Sequence, residues 1–439
     1  MSISDNKFKQ ILLSGIIWRA INVVFSFAFN ALLVTQLGAG ASGQFFYLLN
    51  NLFFAVLLLG IGLESGISYY NARMEISASQ LFTLSVIWSV LGAGIFSIVL
   101  SFLSSLFRLN QPGDFFLVVY VFGSMLTTFL SAIYFTRHDS KTPNIVASIL
   151  NLLLIILLPK MPWINNKISF SNYINIYLAF PLLSVLLLTP GLLRQKIFIS
   201  FKNIRGQKIK PLLLFSLHSF IISLLFNLLK RSDYWLVNKW CLPVDAGNYF
   251  QASKVIQLLL LLPALASFSL YPLLIQSIKK NEFNHYNIET ESKVMKLVGL
   301  YFLIALVLSF GILIGGYWIF PILYGATFSN LYSVTIVLIP GLVFFAATYP
   351  LTTYFAGKNQ NITTIIYLGL SILILFVCNI ILTQKYFIYG AAASSSISSI
   401  AYFILMFRRF LLQNKLPFII KKMIHPIEVL GVLKSFIVK

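Results

Sequence analysis

Six ionisable residues lie within stretches of sequence that are otherwise almost entirely apolar. These four cations and two acids are Arg19, Glu64, Lys230, Arg231, Asp233 and Lys254. A charged side chain at the centre of a lipid bilayer costs about 2.5–3.5 kcal/mol on insertion scales, so such residues usually face a polar interior. Because cations outnumber acids, the set favours an anionic ligand. Guanidinium and ammonium groups supply several donors to a phosphate or pyrophosphate, which is the natural candidate.

The same residues have a structural interpretation. They could form internal ion pairs that hold helices together, or they could extend to the membrane surface. Lys230 and Asp233 are three residues apart, share a helix face and could pair, whereas Arg231 points elsewhere. Glu64 and Asp233 are also the candidates for ion coupling, to H⁺ or Na⁺.

The elements that carry these residues are apolar segments long enough to cross a bilayer. The chain has 439 residues, of which 59% are hydrophobic and only 10% charged, against about 25% charged residues in soluble domains. About 20 apolar residues cross the hydrocarbon core. The predicted spans are 10–34, 45–70, 81–107, 115–135, 142–159, 170–191, 211–237, 249–277, 294–318, 331–355, 361–383 and 389–412. The sequence predicts an all-α integral membrane protein with about twelve transmembrane helices.

The six ionisable residues all fall in spans one, two, seven and eight, which are equivalent spans in two halves of six. The halves also resemble each other: Gly43-Gln44-Phe45-Phe46 follows span one, and Gly247-Asn248-Tyr249-Phe250 follows span seven. Six spans per half is an even number, so the halves are predicted to be parallel repeats. We therefore expect spans one, two, seven and eight to meet around a central hydrated cavity.

The distribution of Lys and Arg predicts the orientation. Alternate loops, starting from the N-terminus, carry 22 of them on one side and 5 on the other, so both termini are predicted to be cytoplasmic. The expected domains are an N-terminal bundle at 1–195, a basic cytoplasmic linker at 196–210, a C-terminal bundle at 211–412 and an interfacial tail at 413–439. The 32 Lys and Arg against 11 Asp and Glu indicate contact with anionic membrane lipids, and no nucleic-acid partner is expected.

Catalytic signatures are scarce, so no enzymatic activity is expected. No Walker-type Gly-Lys-Ser/Thr loop occurs, and no pair of histidines has zinc-ligand spacing. Gly38, Gly40 and Gly43 fit a G-x-G-x-x-G pattern, but they lie in a short turn between two spans, where turn glycines explain them. No metal and no cofactor are expected.

Four short motifs resemble one family of membrane proteins. They are Gly60-Ile61-Gly62-Leu63 with Tyr69 to Arg73, Asp233 followed by Ala246-Gly247-Asn248-Tyr249, Tyr354-Phe355-Ala356-Gly357-Lys358, and Tyr389-Gly390-Ala391-Ala392-Ala393-Ser394. Together with twelve spans in two halves, they resemble the multidrug/oligosaccharidyl-lipid/polysaccharide (MOP) exporter superfamily. Within it, the chain is most similar to the Wzx-type O-antigen and polysaccharide flippases, over nearly its whole length.

The resemblance implies a MATE-like fold in which two bundles form a V around a cavity lined by spans one, two, seven and eight. It implies a flippase of the bacterial cytoplasmic (inner) membrane, used in lipopolysaccharide synthesis. The implied cargo is an undecaprenyl-pyrophosphate-linked oligosaccharide, moved to the outer leaflet by alternating access, and other polysaccharide-assembly proteins are implied partners. Asp233 matches a family position, whereas Arg19, Lys230, Arg231 and Lys254 rest on the charge argument.

Two other functions remain open. A proton- or sodium-coupled multidrug or organic-cation antiporter of the same superfamily should have a site dominated by acids, and here only Glu64 and Asp233 qualify. A membrane polysaccharide polymerase should have a long outer loop, and the longest outer loop covers only about residues 160–169.

Overall fold

A computed structural model describes residues 5–102, 113–157, 170–200, 206–281 and 288–414. Within these ranges all regular structure is helical. The helices are α1 Asp5–Gly60, α2 Leu63–Ala72, α3 Ala78–Phe102, α4 Asp114–Thr136, α5 Lys141–Leu157, α6 Phe170–Arg194, α7 Gly206–Arg231, α8 Asp233–Trp240, α9 Pro243–Asn281, α10 Ile288–Tyr324, a 3₁₀ turn Ala326–Phe328, α11 Leu331–Gly357 and α12 Asn361–Gln413. The all-α prediction is therefore confirmed.

Eight helical stretches of the described chain are long and apolar enough to cross a membrane. Helix α5 is also apolar but has only 17 residues, and it coincides with the shortest predicted span. These stretches make the protein a multi-pass α-helical membrane protein. Twelve crossings and cytoplasmic termini stay predictions.

Two long helices contain sharp kinks where the sequence predicted turns between spans. In α1 the kink lies at Gly38 (φ 69°, ψ 172°), a conformation that glycine adopts at little cost. In α12 it lies at Phe387 (φ 51°, ψ −132°). A Cβ atom on Gly390 would lie 2.0 Å from the carbonyl oxygen of Leu382, so only glycine permits this close return of the backbone.

The described chain forms two compact units. The first comprises residues 1–37 and 44–224, and the second comprises residues 38–43 and 225–439. This grouping of contacts does not test the domain bounds 1–195, 196–210, 211–412 and 413–439, which stay predictions. Within those domains, residues 201–205 of the linker and 415–439 of the tail lie outside the described part of the chain.

One glycine from each repeat motif, Gly43 and Gly247, serves packing inside the second unit. A Cβ atom on Gly247 would lie 1.9 Å from the carbonyl oxygen of Ala39, and one on Gly43 would lie 2.8 Å from the backbone nitrogen of Gly247. Small residues let helix backbones approach closely in membranes. Asn248 extends this contact because its Oδ1 accepts a 3.1 Å hydrogen bond from the backbone N–H of Asn330. These two glycines therefore have a packing role, and the parallel repeat stays a prediction.

Candidate functional site

A break in the second predicted span positions Glu64 in the first unit. Ile61 and Gly62 both have positive φ (41° and 68°), and α2 begins directly after them. A Cβ atom on Gly62 would lie 2.6 Å from the carbonyl oxygen of Ser216 on α7. Glycine is therefore needed both for the turn and for the close approach of the two helices. The break places the Glu64 carboxylate in the first turn of α2, where the helix dipole favours an acid.

Glu64 opens onto a cavity of about 820 Å³ that lies within the first unit. We call it the hydroxyl cavity, because most of its polar lining residues carry hydroxyl groups. The polar lining residues are Glu64, Ser65, Ser68, Tyr69, Thr127, Thr128, Ser131, Asn144, Ser184 and Ser219. Among the described residues that line this cavity, none is Lys or Arg.

Several of these hydroxyls donate to backbone carbonyls and keep their acceptor capacity. Thr128 donates to Ser124 (2.8 Å) and Ser131 donates to Thr127 (2.7 Å). A hydroxyl group carries one donor and two acceptor positions, so each of these side chains still accepts a hydrogen bond from a ligand. The local bonds also hold the side chains in one orientation.

Aromatic rings form one part of the same wall. Tyr69 stacks on Phe215 with ring centroids 4.3 Å apart and an interplanar angle of 21°. Arg73 donates a hydrogen bond to the Tyr69 hydroxyl, and it forms a 2.8 Å ion pair with Glu75. The position of the Tyr69 ring is therefore fixed by Phe215 at one face and by Arg73 at the hydroxyl group.

The second unit gathers four of the six predicted site residues. We call them the cationic cluster: Lys230, Arg231, Asp233 and Lys254. The Arg231 guanidinium lies within electrostatic range of the other three charges. It also donates a 3.0 Å hydrogen bond to Oε1 of Gln257, one turn beyond Lys254 on α9. Three cations and one acid thus lie together in an otherwise apolar part of the chain.

Lys230 lies between aromatic rings and serine side chains. Its Nζ atom is 5.0 Å from the ring centroid of Phe345 and 5.7 Å from that of Phe226, distances at which a ring face attracts a cation. The small cavity beside it has a volume of about 40 Å³, and its polar lining is Lys230, Ser253, Gln257, Ser395, Ser396 and Ser399. This volume holds about three waters, so a pyrophosphate requires a wider arrangement of these helices.

Asp233 is buried, with 1% of its surface exposed, and it accepts a hydrogen bond from the Tyr249 hydroxyl. The suggested Lys230–Asp233 pair is wrong for the described chain, because Lys230 faces aromatic rings and Asp233 faces Tyr249. The backbone at Ser232 between them keeps helical angles (φ −70°, ψ −22°), so it is the neighbouring side chains, rather than a helix break, that direct Lys230 and Asp233 to different partners. Asp233 is tied to the scaffold of α9.

The remaining predicted residues lie in the first unit. Arg19 is exposed on α1 and is not among the residues that line the hydroxyl cavity. Glu64 lines that cavity. The predicted meeting of all six residues around one cavity stays a prediction.

Sequence reasoning missed the hydroxyl and serine side chains that surround both sites. Ser and Thr are common in membrane helices, where they bond to their own backbone, so single residues carry no signal. The signal that could have predicted these sites was the clustering of Ser and Thr residues within short stretches of sequence. Ser65 and Ser68 flank one turn of α2, and the run from Ser394 to Ser399 contains five serines.

Comparison with solved structures shows that the fold is that of MOP superfamily transporters. The chain is 15% identical to an inward-facing multidrug resistance MATE family transporter of the MOP superfamily (TM-score 0.69), covering 91% of this chain and 98% of the other. It is 16% identical to the lipid II flippase MurJ in an inward closed conformation (TM-score 0.67), covering 98% and 92%.

A third similar structure is a MOP superfamily transporter from Pyrococcus furiosus, for which a reversed polarity of the binding pocket suggests a different function. It is 16% identical (TM-score 0.65) and covers 93% of this chain and 96% of its own. No protein-family model and no curated protein sequence matches this chain. The predicted MATE-like helical fold is confirmed, and the Wzx-type assignment within the superfamily stays a prediction.

Proposed function

We propose that this protein is a flippase that moves an undecaprenyl-pyrophosphate-linked oligosaccharide, such as an O-antigen repeat unit, to the outer leaflet of the bacterial inner membrane. The chain acts as a transporter by alternating access and not as an enzyme. The lipid tail stays in the bilayer while the charged head passes through the protein interior. Other polysaccharide-assembly proteins supply and receive the cargo.

The cationic cluster carries this proposal. Lys230, Arg231 and Lys254 place three basic side chains in an apolar region, and the one acid beside them, Asp233, already accepts a hydrogen bond from Tyr249. Bringing three cations into a membrane interior is costly unless an anion offsets them. A pyrophosphate head supplies that anion and accepts several charge-assisted hydrogen bonds.

The second candidate is a proton- or sodium-coupled antiporter for drugs or organic cations. The observation that favours it is the pair of carboxylates, Glu64 and Asp233, each on a helix that begins within or beside a membrane span. A solved multidrug transporter of similar fold adds to it. The balance of charge in the second unit favours the anionic cargo.

Deletion of the gene followed by analysis of membrane lipids tests the proposal. We expect an undecaprenyl-pyrophosphate-linked oligosaccharide to accumulate on the cytoplasmic face, and surface polysaccharide to disappear. Arg231→Ala should strongly reduce surface polysaccharide while the protein stays in the membrane. Unchanged lipids in the deletion strain, together with H⁺- or Na⁺-dependent efflux of cationic dyes by the wild type, would establish the antiporter instead.

A further inference from the structure

The described lining of the hydroxyl cavity contains an acid and no Lys or Arg, so it offers an anion no opposite charge. We propose that it binds the neutral sugar portion of the cargo, as a subsite distinct from the cationic cluster. This inference rests on the proposed function, because it takes the cargo to be a lipid-linked oligosaccharide. It adds a site in the first unit and a chemical class of ligand for it.

The size of the cavity points to a ligand of several rings. Its volume is about 820 Å³, within the range of about 300–1,000 Å³ that small-molecule sites occupy. A bare Na⁺ or proton site needs a few oxygen ligands at contact distance and no such space. The lining oxygens belong to α2, α4, α5, α6 and α7, and they surround a volume large enough for an organic molecule.

The chemistry of the lining matches sugar hydroxyls. A Ser or Thr hydroxyl has one donor and two acceptor positions, so lining hydroxyls such as Thr127, Thr128 and Ser131, which already donate to backbone carbonyls, can accept hydrogen bonds from sugar hydroxyls. The Glu64 carboxylate accepts charge-assisted hydrogen bonds, which are stronger than neutral ones. Within the described ranges Glu64 has no ion pair, and no Lys or Arg lines the cavity. An acid in a cavity whose described lining contains no Lys or Arg repels a phosphate, but it can accept hydrogen bonds from a neutral polyol.

The aromatic wall supplies the complementary apolar face. The stacked rings of Tyr69 and Phe215 present rigid apolar surface at low cost in side-chain entropy. A pyranose ring has an apolar face of C–H groups and a polar rim of hydroxyls. It therefore fits between an aromatic wall and a ring of hydroxyl groups, which are the two surfaces that this cavity offers.

Transport of two matched substrates into proteoliposomes tests the subsite. One substrate is undecaprenyl pyrophosphate with the complete repeat unit, isolated from the deletion strain, and the other is the same lipid with only its first sugar. We expect Glu64→Gln and the double variant Ser68→Ala/Ser131→Ala to lower transport of the complete unit at least fivefold. Transport of the single-sugar lipid should stay within twofold of wild type, whereas Arg231→Ala should lower transport of both.

Ser101→Ala is the matched control, because Ser101 is an exposed serine on α3 that does not line the cavity. It should leave transport of both substrates unchanged. Equal losses for both substrates in the cavity variants, no loss for either, or a defect that appears only when Na⁺ is varied would overturn the subsite. Failure of the wild type to move either lipid would instead refute the proposed function, and the subsite with it.

A direct binding measurement covers the case in which the variants do not fold. The repeat-unit oligosaccharide is released from its lipid and titrated into wild-type protein in nanodiscs, with binding followed by saturation-transfer NMR. Saturable binding that inorganic pyrophosphate does not displace supports the subsite. Absence of binding, or full displacement by pyrophosphate, contradicts it.

Discussion

The interiors of the two units differ in volume and in charge. The first unit has a cavity of about 820 Å³ whose polar lining consists mostly of hydroxyl groups with a single acid, whereas the second unit holds three basic side chains, of which Lys230 lines a cavity of about 40 Å³. The sequence motifs by which the two halves resemble each other include Gly43 and Gly247, whose role is to let helix backbones pack closely. This difference is what the proposed function requires, since an oligosaccharide and a pyrophosphate need different surroundings.

A break in the backbone positions the acid of the first unit. Helix α2 starts with Glu64 in its first turn after the Ile61–Gly62 break. Discontinuous helices at ligand sites are a feature of many transporters, because the free helix ends supply partial charges and irregular backbone, and the helix dipole stabilises an acid at such a start. In the second unit Ser232 keeps helical backbone angles (φ −70°, ψ −22°), so Asp233 lies on a nearly continuous helix and has no comparable break before it.

Removing Arg231 should give the largest loss of transport. A hydrogen bond to a charged group contributes about 1.5–3 kcal/mol, which corresponds to about 10- to 100-fold in affinity. Arg231→Ala should therefore reduce transport of a pyrophosphate-bearing lipid about 10- to 100-fold. Arg231→Lys should recover part of this, because it restores the charge without the bidentate geometry. Initial rates of lipid transport in proteoliposomes measure this effect. A loss smaller than twofold in Arg231→Ala would show that the cationic cluster does not bind the cargo.

Filling the contact at Gly247 should give the next largest effect. A methyl group there meets the backbone oxygen of Ala39, which cannot move aside as a flexible side chain would. We expect Gly247→Ala to destabilise the protein by about 1–3 kcal/mol and to lower its unfolding temperature. Gly94→Ala is the control, since a Cβ atom at Gly94 meets no other group within 4 Å. Equal unfolding temperatures for the two variants would show that the close contact at Gly247 does not contribute to stability.

The Tyr249–Asp233 hydrogen bond should have a smaller effect on stability. Hydrogen bonds between side chains in membrane proteins contribute about 0.6–1.7 kcal/mol, so Tyr249→Phe should cost about 1 kcal/mol. Asp233→Asn should cost less, because an amide oxygen still accepts the bond. Thermal unfolding in detergent distinguishes the two variants. If Asp233→Asn lowers the transport rate strongly while its unfolding temperature stays close to that of the wild type, this acid acts in coupling with H⁺ or Na⁺ rather than in the scaffold.

The rare residues of the chain were informative in the sequence, and the common ones were not. Charges such as Arg231 are conspicuous in apolar spans, so four of the six site residues could be predicted to lie together. The Lys230–Asp233 pair failed because neighbours on α9 and α11 determine where each side chain points. The break at Gly38, where two helices meet, lies in the turn that the sequence predicted between spans one and two, because glycine adopts its positive φ at little cost. The hydroxyl cavity forms where five helices meet, and a local sequence pattern cannot predict which helices will pack together.

The ion pair between Glu291 and Lys358 should have the smallest effect. Their 3.3 Å contact lies beside Tyr354, whose hydroxyl also contacts Glu291 (3.3 Å) and Asn414 (2.9 Å). The Lys358 side chain is 28% exposed, and partly exposed pairs contribute about 0.2–1 kcal/mol. A double-mutant cycle of Glu291→Gln and Lys358→Met should give a coupling energy below about 1 kcal/mol. A larger value would make this end of the second unit a structural centre comparable to the cationic cluster.

Lipid binding measured by native mass spectrometry tests the central claim most directly, namely that the second unit recognises an anionic head. The experiment measures how much undecaprenyl pyrophosphate and how much undecaprenol bind to each of three proteins. These are the wild type, the triple variant Lys230→Gln/Arg231→Gln/Lys254→Gln, and Glu64→Gln. We predict that the wild type and Glu64→Gln prefer the pyrophosphate lipid at least tenfold, and that the triple variant, still folded, loses this preference. Equal preference in all three proteins, or no preference in the wild type, would contradict the account.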